Sequence, residues 1–498
     1  MALNTKLNLW LSGAGLLIVC LILIVFRNPN LSFLNSILGA LALILTIIPS
    51  IQYAVTSPDH RPIIPLLPLI GIFYLFFFVL PIFYFYYFAS SSYILNNPTG
   101  RISVIYQDGV RNESIILVCI GMLVFQCGWQ LTKSRLFSFI PKFSLPKKNP
   151  PYQLLILAVG LLLGGLSYYY IEWVRALPSV GQFFIPAGYA GLGLIYLLWR
   201  HDKVSWGISI PIMIVLGGFL IASFVLSGFM TSIVYVLIFL IILDFWCTKK
   251  IRKIYALGGL AISLVVFLLH PINPQIRSVL WTSDPNLSAV EKSKTAIHMV
   301  YDTYLGDSEN YILNGKVSFN KNESVAVGRH YLLHRMSGFS RLNHVIKQTP
   351  QKISFLHGAT YETLFVSLIP RFLWPNKPQE KWGNSFGRRY SLIDQNDRQT
   401  SANIGWITEL YANFGWGGVI LGMFSFGAML SMLERFFMHS NVSVSEVAVG
   451  SAILLPLFYQ ESNFTLMTGS VIPLTLCMWF YFHIGGKVLM TVFKPVRL

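Results

Sequence analysis

Residues Leu9–Phe26 read LWLSGAGLLIVCLILIVF, an apolar run without a single charged residue. A helix of about 20 such residues is long enough to cross the hydrocarbon core of a bilayer. The run is long for a signal-peptide core and no small-residue cleavage site follows it, so we expect a retained first transmembrane helix. Further blocks of this kind along the 498-residue chain predict a polytopic membrane protein.

Composition supports this fold class, since the chain is 54% hydrophobic and only 11% charged. Soluble proteins carry about 25% charged residues. The apolar blocks predict an all-α membrane protein with about twelve transmembrane helices. Their approximate positions are 8–26, 32–54, 63–89, 114–132, 153–173, 182–199, 207–227, 230–247, 254–270, 417–437, 444–460 and 468–486.

These blocks divide the chain into three parts. Residues 1–270 form an N-terminal bundle of about nine spans, residues 271–416 form one large loop, and residues 417–498 form the C-terminal spans. Loops of this length are usually functional. We expect the loop to be mostly helical, with helices near 288–304 and 324–347 and an interfacial or re-entrant segment at 353–374.

Charged residues alternate between successive loops. Cations crowd the loops after the fourth, sixth and eighth spans and the C-terminal end, namely Lys133, Arg135, Lys142, Lys147, Lys148, Arg200, Lys203, Lys249, Lys250, Arg252, Lys253, Lys487, Lys494 and Arg497. The positive-inside rule then predicts that both termini are cytoplasmic. The large loop is therefore predicted to be extracytoplasmic.

The large loop is itself basic, with 16 Lys and Arg against 11 Asp and Glu. The positive-inside rule does not account for cations on the outer side, so part of the formal net charge of +17 predicts an anion-binding site. The five cysteines show no CxxC spacing, which predicts neither a disulfide framework nor a thiolate metal site.

One group of cations occurs in VGRHYLLHRMSGFSRLNHV. Arg329, Arg335 and Arg341 are six residues apart and cannot share one helix face, whereas His330, His334 and Arg341 can. The alternative is an amphipathic helix whose cations contact lipid headgroups. The two histidines also have an i, i+4 metal spacing, but no Glu follows the first and no third ligand is evident, so no metal is predicted.

A second group lies in IPRFLWPNKPQEKWGNSFGRRY, where three prolines prevent a regular helix and stiffen an extended path. Arginine matches phosphate oxygens two at a time, and tryptophan stacks on sugars or sits at a membrane interface. Two glycines, Gly383 and Gly387, allow the backbone to approach a ligand. The alternative is an interfacial loop. The candidate binding residues are Arg371, Trp374, Lys377, Arg388 and Arg389.

Two carboxylates complete the set of candidates. Glu409, in SANIGWITELYANFGWGG, is expected at the membrane edge, where partial desolvation suits a general base. Its alternative role is a structural pair with a loop arginine. Glu461, in YQESNF, follows the eleventh span and is expected to join the same outer cavity; the alternative is an ordinary turn residue.

The span number, the single large outer loop, and the motifs PRFLWPNKP and ELYANFGWGG resemble the Wzy-type polymerases of bacterial O-antigen and exopolysaccharide repeat units. The resemblance covers the whole architecture, and its sharper motifs lie in Gly328–Arg341 and Ile369–Gly418. Related O-antigen ligases often carry a His-Asn pair before a glycine-rich entry to a span. Here Ala402 and Asn403 stand at that place, which argues against a ligase.

The resemblance implies a metal-independent glycosyltransferase without a cofactor, at the outer face of the bacterial inner membrane. It would move a glycan from undecaprenyl diphosphate onto another lipid-linked repeat unit, in a groove open to membrane lipids. A partner that controls chain length is implied as well, and no nucleic acid. The alternatives are a ligase-like transferase with the same donor, and a lipid-linked oligosaccharide flippase or exporter.

The candidate residues then take two roles. The catalytic candidates are Glu409, His330, His334 and Arg335, with the identity of the base left open. The candidates for binding the diphosphate or substrate are Arg329, Arg341, Arg371, Trp374, Lys377, Arg388, Arg389 and Glu461.

Overall fold

The computed structural model describes residues 31–57, 60–89, 109–147, 149–177, 180–220, 230–250, 252–254, 257–259, 310–313, 317–320, 337–367, 381–398 and 400–492, and the single residues 264, 294, 298, 301, 304, 305, 369, 374, 376 and 377. The regular secondary structure of this part of the chain is helical apart from one short hairpin. Its strands, β1 (Asn310–Leu313) and β2 (Val317–Asn320), pair antiparallel with Tyr311 opposite Phe319.

Most helices of the N-terminal half are long and apolar. They are α1 (Phe33–Val55), α2 (Leu66–Tyr74), which continues through a π-helical turn (Leu75–Val79) into α3 (Leu80–Ala89), α4 (Asn112–Leu131), α5 (Pro151–Tyr170), α6 (Glu172–Ala176), α7 (Gly181–Arg200), α8 (Trp206–Ile212), which leads into a second π-helical turn (Met213–Gly217), and α9 (Met230–Thr248).

The later part of the chain has short helices followed by long ones. They are α10 (Gly338–Gln348), α11 (Leu364–Ser367), α12 (Trp382–Arg389), α13 (Trp406–Phe437), α14 (Val444–Leu454), which a 3-10 turn (Leu455–Phe458) extends, α15 (Phe464–Thr468) and α16 (Val471–Val492). Further 3-10 turns cover Arg135–Phe137 and Ala359–Tyr361.

Within the described residues, seven helical stretches are long and apolar enough to cross a membrane: Phe33–Val55, Leu66–Tyr84, Asn112–Leu131, Pro151–Tyr170, Gly181–Arg200, Trp406–Phe437 and Phe464–Thr491. Three shorter apolar helices are Trp206–Leu220, Val234–Thr248 and Val444–Phe458. The protein is thus a helical membrane protein. The predicted span 8–26 and most of 254–270 lie outside the described residues, and the total of twelve spans stays a prediction.

Contacts before and after helix α4 identify the two ends of the bundle. Before its first turn, the Arg111 backbone N–H donates to Asn343 Oδ1 (3.1 Å). After its last turn, Thr132 Oγ1 donates to Ser431 Oγ (2.5 Å). A 20-residue helix is about 30 Å long, so these contacts lie at opposite ends of the bundle. We call the end that carries Asn343 the loop end, and the other the opposite end.

Close helix pairs depend on glycines, as is common where membrane helices pack. A Cβ atom at Gly128 in α4 would overlap the Phe424 carbonyl of α13. Helices α5 and α7 run antiparallel, and a Cβ atom at Gly165 would lie 2.6 Å from the Gly188 Cα. Helix α7 therefore ends, at Arg200, on the side of the bundle where α5 begins.

Helix α13 begins at Trp406, before the start at 417 that hydropathy predicts. It is broken at Gly415, whose φ of 63° and ψ of −146° are accessible mainly to glycine. The break frees two carbonyls, and a neighbouring segment bonds them: Leu356 N–H donates to Ala412 O (2.9 Å) and His357 N–H to Asn413 O (3.2 Å). The predicted boundary at 416/417 lies next to this break.

Candidate functional site

The first predicted cation that the structure describes, Arg341, lies in α10 at the loop end. The helix begins after Ser337, whose Oγ accepts a bond from Ser340 N–H (3.1 Å), a normal N-terminal cap. Phe339, Leu342 and Val345 are fully buried. Burial of this face fixes the helix in place and determines the direction in which Arg341 points.

Asn343 fastens α10 to the start of α4. Its Nδ2 donates to the Gly109 carbonyl (2.6 Å), and its Oδ1 accepts from Arg111 N–H and from Ser114 Oγ (2.8 Å). The side chain is fully buried, and hydrogen bonding of this kind is what makes a buried amide tolerable. Helix α10 is therefore held rigidly against the membrane bundle.

Arg341 contacts two segments that are distant in sequence. Its Nη1 donates to the Asn403 carbonyl (3.0 Å), and its Nη2 lies 3.7 Å from Glu461 Oε1. The Arg341 and Glu461 side chains keep 13% and 12% of their surface exposed. A partly buried ion pair is screened by solvent less than a surface pair, and each charge stabilises the other.

Glu461 lies in a compact turn after α14. Its N–H donates to the Tyr459 carbonyl (2.9 Å), and its neighbour Gln460 is fully buried, where Gln460 Oε1 accepts from the Tyr74 hydroxyl (3.1 Å). Asn403 Nδ2 also donates to Ser462 Oγ (3.0 Å). We call the group Arg341, Asn403, Glu461 and Ser462 the Arg341–Glu461 centre.

The short helix α12 packs against this centre through its glycines. A Cβ atom at Gly383 would overlap Ser401 Oγ and Asn403 Oδ1, and one at Gly387 would lie 2.9 Å from the Ala402 Cβ. The Ala402 N–H also donates to the Gly383 carbonyl (3.0 Å). The sequence predicted that these glycines admit a ligand; in the structure they admit residues 401–403 instead.

The other described candidates of the proline-rich segment bond to nearby chain. Arg388 Nε donates to Asn384 Oδ1 (3.0 Å), and Arg389 Nη2 donates to the Ser354 carbonyl (2.9 Å). Lys377 Nζ donates to the Ile369 carbonyl (2.8 Å), and Trp374 is 40% exposed. Among the described contacts, none brings these four side chains to Arg341. The contacts of Lys377, Arg388 and Arg389 order the surrounding loop at the same end of the bundle.

Glu409 is fully buried in the first turn of α13. Its Oε2 accepts the Phe464 backbone N–H at 2.7 Å, which ties α13 to the start of α15. A general base must reach the proton it removes. This geometry favours a structural role for Glu409, in which the carboxylate supports the backbone at the start of α15.

Tyr361 lies beside Glu409, and its ring packs against aromatic side chains. Its ring lies parallel to Phe414 (6.3 Å between centroids) and edge-on to Phe464 (6.2 Å). Its hydroxyl is buried. Burial raises the pKa of Tyr361 well above its ordinary value, and the Glu409 carboxylate raises it further. The phenol therefore stays neutral.

Five candidates lie outside the described residues: Arg329, His330, His334, Arg335 and Arg371. Within the part that the structure describes, no three His, Cys, Asp or Glu side chains come together as a metal site would require. The structure therefore connects two of the predicted segments, those of Arg341 and Glu461, and adds Asn403 between them.

Sequence reasoning missed the residues that build this centre without carrying charge. Asn343 anchors α10, and Gln460 connects the Glu461 turn to Tyr74. Both stand beside predicted residues, Gln460 in YQESNF and Asn343 in SRLNHV. Both amides stand among other polar residues, so hydropathy gave no signal for their burial.

Comparison with known proteins gives one match. A family model described as "Domain of unknown function (DUF8712)" matches residues 17–484, which is nearly the whole chain. No curated protein and no solved structure matches.

Proposed function

The chain belongs to the DUF8712 family, and we propose that it is a membrane glycosyltransferase that polymerises lipid-diphosphate-linked oligosaccharides. The donor would be a glycan on undecaprenyl diphosphate, and the acceptor a second lipid-linked repeat unit. The product would be an O-antigen or another exopolysaccharide of Wzy type.

One observation carries this proposal. A guanidinium is held in a partly buried position at the end of an apolar bundle, by the Asn403 carbonyl and by Glu461. A lipid diphosphate would present its anionic group near an end of such a bundle, anchored by its chain in the bilayer. Preorganised arginine stabilises the negative charge that develops on a departing diphosphate. The basic composition of residues 271–416 adds a field that attracts such an anion.

The proposed location is the bacterial inner membrane, with both termini in the cytoplasm and the loop end outside. The cationic loops lie at the end of the bundle opposite the Arg341–Glu461 centre, and this separation supports the proposed location. Lys147 Nζ donates to the Asn441 carbonyl at the opposite end (3.0 Å), and Arg200 and Arg252 contact Asp244 (3.4 and 3.5 Å) at the ends of α7 and α9. Short loops rich in Lys and Arg are typical of the cytoplasmic side.

In this function, Arg341 binds the diphosphate through paired N–H donors and stabilises it as a leaving group. The donor already carries its activation in the glycosyl phosphate bond, so no soluble cofactor is needed. The acceptor hydroxyl must be oriented near the anomeric carbon, and holding two reactants in place is itself a large contribution to rate.

The decisive experiment is extension of a defined lipid-diphosphate oligosaccharide by the purified protein, with and without a chelator. A ladder of lengthened lipid-linked glycans is expected in both conditions. A ligase-like transferase would instead move the glycan once onto a different acceptor. A flippase would change the sidedness of the lipid without lengthening it.

The variants Arg341→Ala and Arg341→Lys are matched with Arg398→Ala, which removes an exposed cation from the same part of the chain. Removing a preorganised donor to a developing anion costs about 100-fold or more in rate. Lysine is expected to rescue poorly because it replaces a planar fork with a point charge. Normal ladders from Arg341→Ala would contradict the assignment.

A further inference from the structure

We propose that Glu461 is the general base of this transfer and removes the proton from the acceptor hydroxyl. The inference rests on the proposed function and deepens it, because the sequence left the base open among Glu409, His330 and His334. It is drawn from the burial and contacts of the carboxylates at the loop end.

Accessibility separates Glu461 from Glu409. Glu409 is fully buried and bonded to the Phe464 amide, whereas the Glu461 side chain keeps 12% of its surface exposed. A carboxylate that is mostly desolvated but still reachable has the position that a base requires. Its contact with Arg341 places it beside the group that would bind the donor diphosphate.

The remaining described carboxylates at this end are solvated or used in turns. The Glu113 side chain is 55% exposed and pairs with Arg111 (3.2 Å). Asp394 accepts from Asn396 N–H (2.9 Å), and Asp397 from Thr400 N–H (2.8 Å). These two carboxylates accept backbone N–H groups within their own turn. Glu461 combines partial burial with contact to the Arg341 guanidinium.

The ion pair also couples the base to the donor. The 3.7 Å separation between Arg341 Nη2 and Glu461 Oε1 exceeds the length of a charge-assisted hydrogen bond. A diphosphate carries more charge than one carboxylate and matches the guanidinium fork better. Donor binding would draw Arg341 toward the diphosphate and weaken its contact with the Glu461 carboxylate, beside which the acceptor hydroxyl would lie. The base would then act only when a donor is present.

The chemical step balances without a further reactant. The acceptor oxygen forms a bond to the anomeric carbon of the donor, and its proton passes to Glu461. The bond between the anomeric carbon and the diphosphate oxygen breaks, and the lipid diphosphate leaves with the bonding electron pair, held by Arg341. The proton is released from Glu461 to water before the next cycle.

The test uses azide, a nucleophile with no proton to lose. In full-length protein, Glu461→Gln is expected to slow extension about 100- to 10,000-fold, the range for loss of a general base. The KM for the donor is expected to stay within about threefold of the wild-type value. Azide should restore release of lipid diphosphate, with formation of a glycosyl azide. Glu461→Asp should retain part of the extension rate.

Two controls separate this role from a structural one. Glu362→Gln removes an exposed carboxylate of the same loop and should extend normally. Arg341→Ala should not be rescued by azide, because the leaving group has lost its stabilisation. Extension by Glu461→Gln at the wild-type rate, or failure of azide to restore donor turnover in a variant that still binds donor, would overturn the inference. If the wild type itself neither extends nor releases lipid diphosphate, the proposed function fails.

Discussion

Substitution of Glu409 distinguishes a structural carboxylate from a catalytic one. Glu409→Ala removes the acceptor of the 2.7 Å bond from Phe464 N–H, at a position with no solvent exposure. The buried amide is then left without this partner. Glu409→Gln keeps a side-chain oxygen at nearly the same place and preserves the bond.

The magnitude follows from the burial. A hydrogen bond to a charged group contributes about 1.5–3 kcal/mol, and a buried donor left unsatisfied costs about 1–3 kcal/mol. We therefore expect Glu409→Ala to lower the free energy of unfolding by about 3 kcal/mol. Glu409→Gln should lower it by about 1 kcal/mol or less, since a neutral acceptor replaces a charged one.

The assay combines thermal unfolding of the detergent-solubilised protein with hydrogen exchange at the Phe464 amide. In Glu409→Ala this amide should lose protection, and in Glu409→Gln it should keep it. Both variants are then compared in the extension assay. If Glu409→Gln is stable and protected at Phe464 but extends no glycan, Glu409 is catalytic and the reasoning from burial is wrong.

Three further substitutions test the frame around the site by the shift in thermal unfolding. Asn343→Ala should lower the free energy of unfolding by about 3 kcal/mol, because it removes the partners of buried groups between α10 and α4. No loss of stability would mean that α10 is held by its apolar face alone. Gly128→Val should lower the free energy of unfolding by about 1–3 kcal/mol, because the new side chain forces α4 away from α13. Gly207 has open space around it, so Gly207→Val should leave stability unchanged. Equal effects of the two substitutions would refute the packing argument. Gly415→Ala should lower the free energy of unfolding by about 1–3 kcal/mol, because alanine is strained at a φ of 63°. An unchanged melting temperature would show that the backbone at the break relaxes to accept alanine.

Much of the membrane frame could be predicted because apolar block length is a local property. Helices such as Gly181–Arg200 and Asn112–Leu131 lie within a few residues of the predicted spans 182–199 and 114–132. The start of α13 could not be predicted in this way, because the segment from Trp406 to Phe414 is held by contacts with residues 356–357 and 464. Hydropathy does not register such contacts.

The candidate site could be proposed from the sequence as a set of charged residues but not as an arrangement. Arg341 and Glu461 could each be selected from the sequence, yet their contact depends on the bundle that joins α10 to the turn after α14. Gly383 shows the converse difficulty. A glycine beside cations suggests room for a ligand, and only the fold shows that Ser401 and Asn403 fill that room.

The connection between Tyr74 and Gln460 has a consequence for biogenesis. The two residues are 386 positions apart, so the ribosome must synthesise almost the entire protein before the turn that carries Glu461 gains its support. Arg341 emerges long before its counterion does. The centre is completed only when the final hairpin, formed by α14, the turn that carries Glu461, and α16, enters the membrane. A chain that stops short of that hairpin would insert most of its helices and still lack a finished site.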